Sequence, residues 1–167
     1  MDLYIVRHAV AFDRDAERWP DDRERPLTPR GTRRFRRMAR GIVRIVPELD
    51  TVLSSPLLRA RQTAAILEKE AGWPAADLFP ELEPGRAPGE VLRGLKSRAR
   101  GDALALVGHE PGLHDLLGHL LLGPGAKWNG EMKKGAVAKV VFDQSVQAGA
   151  GRLEWLLTTK AVISLRR

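Results

Sequence analysis

Arg7 and His8 stand side by side directly after a short apolar run near the start of the sequence. The run at residues 3–6 (Leu-Tyr-Ile-Val) is typical of a strand that is buried on both faces of a parallel sheet. Ligands of open α/β sheets collect outside the carboxyl ends of such strands. An imidazole nitrogen can attack phosphorus, and a neighbouring guanidinium can hold phosphoryl oxygens through paired hydrogen bonds. The pair therefore indicates either phosphoryl chemistry or, more plainly, a loop donor beside a solvated ring.

Arg59 and His109 also follow predicted strands. Residues 51–54 (Thr-Val-Leu-Ser) are typical of a short strand, and a helix containing Arg59 follows them. Residues 103–108 form a longer apolar run that ends at His109. The carboxyl ends of parallel strands lie at one edge of a sheet, so we expect all four side chains to converge there. Two imidazoles and two guanidiniums without a cysteine make a poor metal site. They make a good phosphate pocket, because guanidiniums neutralise a dianion while one imidazole attacks and the other donates a hydrogen bond.

Four predicted helices and a strand pattern define the expected architecture. Thr28 and Pro29 suit the cap and the first position of a helix that runs to about Val46. Alternating residues predict two closing strands near the C-terminus, joined by a glycine-rich turn. The alternation of strands and helices predicts an α/β fold with one doubly wound, mostly parallel sheet flanked by helices and an antiparallel strand near the C-terminus. Further helices are predicted to end at Leu67, to span residues 90–98 and to begin at Pro111, and the closing strands are predicted at residues 135–142 and 152–158.

Length and composition fit one soluble globular domain covering residues 1–167. Hydrophobic residues make up 43% and charged residues 29% of the chain, which excludes a disordered protein. The sequence has no cysteine, so disulfides, thiolate metal sites and cysteine nucleophiles are excluded and a reducing compartment is favoured. The start has no signal-peptide pattern, and no apolar run approaches the roughly 20 residues of a membrane helix. We therefore expect a cytoplasmic protein that is not bound to a membrane.

The net charge of +7 fits a nucleic acid, an acidic partner protein or a phosphorylated substrate. Only 5% of residues are aromatic, and basic and aromatic residues do not interleave, so nucleic-acid binding is disfavoured. Arginines cover most of the predicted helix that begins at Pro29. This face is either ordinary solvent-exposed surface or a docking site for an acidic protein.

Four segments resemble the histidine phosphatase (phosphoglycerate mutase-like) superfamily. Residues 3–9 resemble its Arg-His-Gly motif, although Ala9 replaces the usual glycine, and residues 26–31 resemble its Leu-Thr-x-x-Gly segment. Residues 54–63 match its Ser-x-x-x-Arg-Ala-x-Gln-Thr segment closely, and residues 107–111 resemble the block with its second histidine. The four segments occur in the family's order and span most of the chain. The short length makes the sequence most similar to the SixA-type phosphohistidine phosphatases, because larger relatives insert a helical lid for which there is little room.

The resemblance implies a role for each of the converging side chains. His8 would take the phosphoryl group as a covalent phosphohistidine and then pass it to water. Arg7, Arg59 and His109 would form the phosphate pocket, and Arg25 would be a further phosphate contact, since it stands just before the Leu-Thr-x-x-Gly segment. Such a cationic site needs no metal-bound water, so no metal or organic cofactor is implied.

The sequence leaves the identity of the general acid open. Larger members of the family place an acidic residue near Glu81 or Glu83, and Glu81 is preferred here because it follows a strand-like segment; the plain alternative is a solvated loop carboxylate. A phosphohistidine needs less acid catalysis than an alkyl phosphate, because an imidazole with a pKa of about 6.5 is protonated near neutral pH.

The expected function is a metal-independent phosphatase whose favoured substrate is phosphohistidine on a protein. Two alternatives remain open: hydrolysis of small phosphate esters, and a catalytically silent module that binds phosphorylated partners. Ala9 gives weight to the silent module, because a side chain next to the nucleophile could crowd the site. No nucleic acid or membrane is expected as a partner. The sequence leaves the oligomeric state open, with a monomer as the simplest expectation.

Overall fold

In the computed structural model, which describes residues 1–165, six strands form a single sheet. The strands are β1 (Asp2–Arg7), β2 (Thr51–Ser54), β3 (Asp77–Leu78), β4 (Ala103–Gly108), β5 (Val137–Val141) and β6 (Arg152–Leu157). Their spatial order is β3-β2-β4-β1-β5-β6, and β5 runs antiparallel to both of its neighbours. The other pairings are parallel. The predicted mostly parallel sheet with an antiparallel strand near the C-terminus is therefore confirmed.

Helices cover both faces of this sheet, as the prediction of a doubly wound fold requires. The described residues form the α-helices α1 (Pro29–Ile42), α2 (Leu58–Ala71), α3 (Pro88–Arg98), α4 (Gly112–Leu122) and α5 (Thr159–Ser164). Tyr4 and Val6 of β1 point into a core shared with α1, α2 and α5, whereas Leu3 and Ile5 point into a second core shared with α3 and α4. All four side chains are fully buried. Burial of alternate residues on opposite faces explains why this strand is apolar at every position.

The start of α1 is fixed by close contacts with the chain that follows β1. The Thr28 hydroxyl accepts a hydrogen bond from Gly31 N–H at 2.9 Å, as expected for a helix cap. Gly31 also lies against the Val10 carbonyl so closely that a Cβ atom would overlap it. The glycine of this segment is therefore required by the approach of α1 to the strand end.

Two predicted helix ends differ from the structure, and α3 begins two residues before its predicted start and ends where it was predicted to end. Helix α1 ends at Ile42, because Arg44 and Ile45 donate to carbonyls three residues earlier and the chain then reaches Pro47. The predicted end at about Val46 is thus wrong by four residues. Helix α2 continues beyond Leu67 to Ala71, where Gly72 adopts a left-handed conformation with φ of 71°. Helix α5, capped by Thr158, was not predicted, since six residues give no measurable periodicity.

The parallel strands bring three chain segments to one edge of the sheet. Arg7 pairs with Gly108 between β1 and β4, and Ser54 pairs with Val107 between β2 and β4. The residues after these strands therefore meet at the carboxyl edge. This edge is where the sequence predicts chemistry.

Candidate active site

His8 lies just beyond β1 with only 7% of its surface exposed. Its backbone N–H donates to the Gly108 carbonyl at 3.0 Å, which ties it to the end of β4. Its ring Nδ1 lies 2.7 Å from the Ala9 carbonyl oxygen. Because a carbonyl oxygen can only accept, Nδ1 carries the proton and donates to it. The lone pair of the neutral ring is consequently on Nε2.

His109 lies just beyond β4 and faces His8. The centroids of the two rings are 5.1 Å apart and their planes are inclined by 52°. His109 Nε2 is 2.8 Å from the Ser55 hydroxyl, and only 4% of the residue is exposed. Two histidines that are 101 positions apart in the sequence thus form one buried pair. The structure brings them together as the sequence predicts.

Burial dominates the electrostatics of this pair. It lowers the pKa of His8 from 6.5 to about 3 and that of His109 from 6.5 to about 2. Arg59 and Arg25 lower both values further, because a second positive charge near a cationic imidazolium is unfavourable. Both rings are therefore neutral at pH 7. A neutral imidazole retains the lone pair that nucleophilic attack requires.

Arg59 belongs to the first turn of α2 and is held by Asp22. Its Nη1 donates to the Asp22 carbonyl at 2.8 Å, and its Nη2 lies 3.1 Å from Asp22 Oδ2. Arg25 donates from Nε to Asp22 Oδ1 at 2.7 Å, so one carboxylate holds both arginines. Hydrogen bonding from Arg25 and the charge of Arg59 lower the pKa of Asp22, which stays ionised. The sequence analysis missed Asp22, because it lies in a loop without periodicity and contacts Arg59 across 37 positions.

Arg7 is anchored from the other side by the loop that precedes β5. Its Nη1 donates to the Met132 carbonyl at 2.6 Å. The charge of Arg7 also acts on Glu110, for which the sequence predicts no role. Burial raises the pKa of Glu110, and the charge of Arg7 acts in the opposite direction.

Three buried nitrogen atoms of the site have no hydrogen-bond partner within residues 1–165. They are Arg7 Nε, Arg59 Nε and the Nδ1 atom of His109. Buried polar atoms are nearly always paired in folded proteins, and exceptions often mark a binding function. The cluster of unpaired donors next to two neutral imidazoles is suited to an anion with several oxygen acceptors.

Gln62 and Thr63, which end the Ser-x-x-x-Arg-Ala-x-Gln-Thr segment, bind the backbone next to His8 and just before α1. The Thr63 hydroxyl accepts from Ala9 N–H at 3.1 Å and donates to the Arg59 carbonyl at 2.7 Å. Gln62 Oε1 accepts from Leu27 N–H at 2.7 Å. These contacts give the Gln-Thr part of the motif a structural role. They connect the loop after β1 to α2.

Ala9 is accommodated without backbone strain. Its methyl group is 2% exposed and packs in the core shared with α1 and α2. Among residues 1–165, positive φ angles occur only at glycines, so the backbone at this position is one that alanine adopts readily. The methyl group is therefore part of the packed core next to His8.

Of the two candidates for the general acid, Glu81 and Glu83, only Glu81 has a carboxylate oxygen that is buried without a partner among the described residues. Glu81 lies in a 3-10 turn (Pro80–Leu82) and lines the same small cavity as His109. Its Oε2 atom is buried and has no partner among the described residues. Glu83 borders this cavity as well, but both of its carboxylate oxygens accept hydrogen bonds from Arg23, at 2.6 and 3.2 Å.

The part of the chain that the structure describes has no group of three or more His, Cys, Asp or Glu side chains arranged to hold a metal ion. None of its helices has the length and apolar character needed to cross a membrane.

The sequence matches a known superfamily of enzymes. The model of the histidine phosphatase superfamily (branch 1) matches residues 3–84. Phosphohistidine phosphatase SixA of Escherichia coli (strain K12) is 32% identical over 164 residues, which are 95% of this chain and 94% of that protein. The fold and the sequence therefore place the chain in the histidine phosphatase superfamily, and they support phosphatase chemistry.

One solved structure and one further relative are similar to this chain. A solved structure of the protein histidine phosphatase SixA complexed with tungstate superposes with a TM-score of 0.79 and 30% identity, and the match covers 96% of this chain and 98% of that one. An uncharacterized protein of Picosynechococcus sp. (strain ATCC 27264 / PCC 7002 / PR-6) is 40% identical over 115 residues, which are 68% of each chain. Within the superfamily, the chain is thus similar to SixA over almost its whole length.

Proposed function

We propose that this protein is a phosphatase that forms a covalent phosphohistidine on His8, and that its substrate is a phosphohistidine carried by another protein. The observation that carries the proposal is the buried pair of imidazoles, 5.1 Å apart between ring centroids, next to arginine donors that have no partner in residues 1–165. Similarity to the E. coli phosphohistidine phosphatase over 95% of the chain supports the choice of substrate.

His8 Nε2 is the attacking atom. The hydrogen bond from Nδ1 to the Ala9 carbonyl fixes the proton on Nδ1, so the lone pair of Nε2 is free. The lowered pKa keeps the ring unprotonated at neutral pH, so that nearly all molecules are ready to attack.

Arg7, Arg59 and His109 hold the phosphoryl group. The unpaired Nε atoms of the two arginines can donate to phosphoryl oxygens and offset their charge. If the Ser55 hydroxyl donates to Nε2 of His109, then Nδ1 of that ring carries its proton and donates to a third oxygen. Arg25 is held by Asp22, and its positive charge acts on both imidazoles. An oxyanion of phosphate-like shape, tungstate, is bound in the solved SixA structure, which supports a pocket of this kind.

The reaction then has two displacements at phosphorus. In the first, Nε2 of His8 forms a P–N bond while the P–N bond of the substrate breaks, and the leaving imidazole nitrogen takes a proton. In the second, water attacks the phosphoryl group on His8 and gives one proton to the carboxylate that donated in the first step, the new P–N bond breaks with its electron pair returning to Nε2, and phosphate leaves with the oxygen and the other proton of that water. We assign the proton donation in the first step to Glu81, whose unpaired Oε2 borders the cavity shared with His109. No step requires a metal ion.

The test compares wild type and His8→Ala on a phosphohistidine peptide and on p-nitrophenyl phosphate. We expect wild type to prefer the peptide, and His8→Ala to lose about a thousandfold or more of activity on both substrates, as removal of a covalent nucleophile does. Arg61→Ala is a suitable control, because Arg61 is an exposed arginine of α2, the helix that contains Arg59. A preference of wild type for small esters by orders of magnitude would refute the protein substrate. Full activity of His8→Ala would refute the mechanism.

A further inference from the structure

A second, cationic groove opens beside the phosphate pocket. It has a volume of about 430 Å³ and lies between the first turns of α1 and the loop that precedes β5. Arg7 and Ala9 line it, and these residues flank His8 on either side in the sequence. Arg7 also has a buried Nε atom without a partner among the described residues, so this one side chain belongs both to the candidate phosphate site and to the groove.

The groove carries an excess of positive charge. Arg34, Lys133 and Lys134 line it together with Arg7, and Glu131 is the acidic residue of the lining. Arg34, Lys133 and Lys134 are exposed, and none of them lies within 4.0 Å of a carboxylate oxygen among residues 1–165. Cations that share one concave surface repel one another and attract anions from solution.

Other arginines of α1 are compensated within the chain. Arg36 and Arg40, which lie further along the helix, both approach Glu70, at 3.6 and 2.6 Å. Arg34, Lys133 and Lys134 have no carboxylate oxygen at such a distance among the described residues, although Glu131 lines the same groove. The positive charge of the groove is therefore less compensated by nearby carboxylates than that of Arg36 and Arg40.

We propose that this groove binds the carboxylates of acidic side chains that flank the phosphohistidine of the protein substrate. This inference rests on the proposed function, since it assigns a surface feature to the same substrate. Arg7 belongs to both the phosphate pocket and the groove lining, so the two anionic parts of one substrate are bound side by side. Such a subsite increases the rate of productive encounter and selects acidic surfaces over neutral ones.

The test uses two phosphohistidine peptides. One has glutamate and the other has alanine at the positions two and three residues before and after the phosphohistidine. At low salt, wild type should hydrolyse the glutamate peptide with a kcat/KM about tenfold higher, which is what a few exposed ion pairs provide. In Arg34→Ala/Lys133→Ala/Lys134→Ala this ratio should fall towards one. The matched control Arg33→Ala/Arg37→Ala/Lys69→Ala removes three exposed cations that do not line the groove, and it should keep the ratio.

A second readout does not depend on the variants. Raising the salt concentration should reduce the preference of wild type for the glutamate peptide, because exposed charges are screened. Equal hydrolysis of both peptides by wild type overturns this inference and leaves the proposed function standing. Hydrolysis of neither peptide overturns both. If the three groove cations matter for a small bisphosphate while the peptides are hydrolysed alike, the assignment to a protein substrate is wrong.

Discussion

Asp22 gives the sharpest test of how the phosphate pocket is positioned. Its carboxylate binds Arg25 at 2.7 Å and Arg59 at 3.1 Å, and its carbonyl accepts a further hydrogen bond from Arg59 at 2.8 Å. Replacing Asp22 with alanine removes both carboxylate contacts and leaves the carbonyl contact. The two arginines would then be free to move away from the geometry that suits a phosphoryl group.

Two effects of this substitution oppose each other. A hydrogen bond to a charged group contributes about 1.5–3 kcal/mol. Asp22→Ala removes two such contacts, which together contribute about 3–6 kcal/mol. Removal of a negative charge also reduces repulsion of the phosphoryl group, by about 2 kcal/mol for a separation of about 8 Å at an effective dielectric constant of about 20, which applies because the Asp22 side chain is only 28% exposed. The net loss of about 1–4 kcal/mol corresponds to about a 5- to 900-fold decrease in kcat/KM.

The assay is steady-state hydrolysis of p-nitrophenyl phosphate together with inhibition by inorganic phosphate. Asp22→Ala should reduce kcat/KM and weaken inhibition by phosphate. Asp22→Asn should reduce kcat/KM less, since its amide oxygen can still accept a hydrogen bond from one arginine. Glu24→Ala is the matched control, because Glu24 is an exposed acid of the same 3-10 turn (Asp22–Glu24). The reasoning is refuted if Asp22→Ala equals or exceeds wild type, or if Glu24→Ala loses as much.

Three further predictions concern the acid, the backbone tether and the histidines. Glu81→Gln should reduce hydrolysis of an alkyl phosphate more than that of phosphohistidine, because an imidazole leaving group can take its proton from solvent; equal losses in kcat would contradict the role of Glu81. Thr63→Val should lower the free energy of unfolding by about 1–3 kcal/mol in urea titrations, since the buried Ala9 N–H then lacks its acceptor; an unchanged value would show that this contact is dispensable. Stability should fall as the pH drops below about 6.5, because burial lowers the pKa of His8 and His109 to about 3 and 2 and the unfolded chain therefore binds more protons in that window. The slope should reach about 1.4 kcal/mol per pH unit for each histidine, and His109→Gln should reduce it in urea titrations at pH 7 and pH 5. An identical slope in His109→Gln would contradict the buried neutral state of this ring.

The sequence predicts the sheet and its reactive edge because both depend on local patterns. Apolar runs followed by polar residues locate the ends of β1 and β4, and parallel pairing then requires Arg7 and His109 to approach each other. Helix α5 escaped prediction, because its six residues give no period and its place depends on packing of Val162 in the core. Local patterns thus determine the frame, while short elements depend on tertiary contacts.

The finer parts of the site depend on contacts between distant residues. Asp22 joins Arg25 to Arg59 from an irregular loop, and no motif or spacing marks it. The depressed pKa values of the two histidines come chiefly from burial, which is a property of the folded protein. The groove lined by Arg34 and Lys133 arises where α1 meets the loop before β5, nearly a hundred positions later in the sequence.

The most direct measurement is the detection of phosphate on His8 during turnover. The protein is mixed with phosphorylated substrate, quenched in alkali, where phosphohistidine is stable, and analysed by peptide mass spectrometry. The account predicts an acid-labile phosphate on the peptide containing His8, on its Nε2 atom by phosphorus NMR, and its loss in His8→Ala. Phosphate on another residue, or turnover by wild type without a labelled His8, would contradict the account.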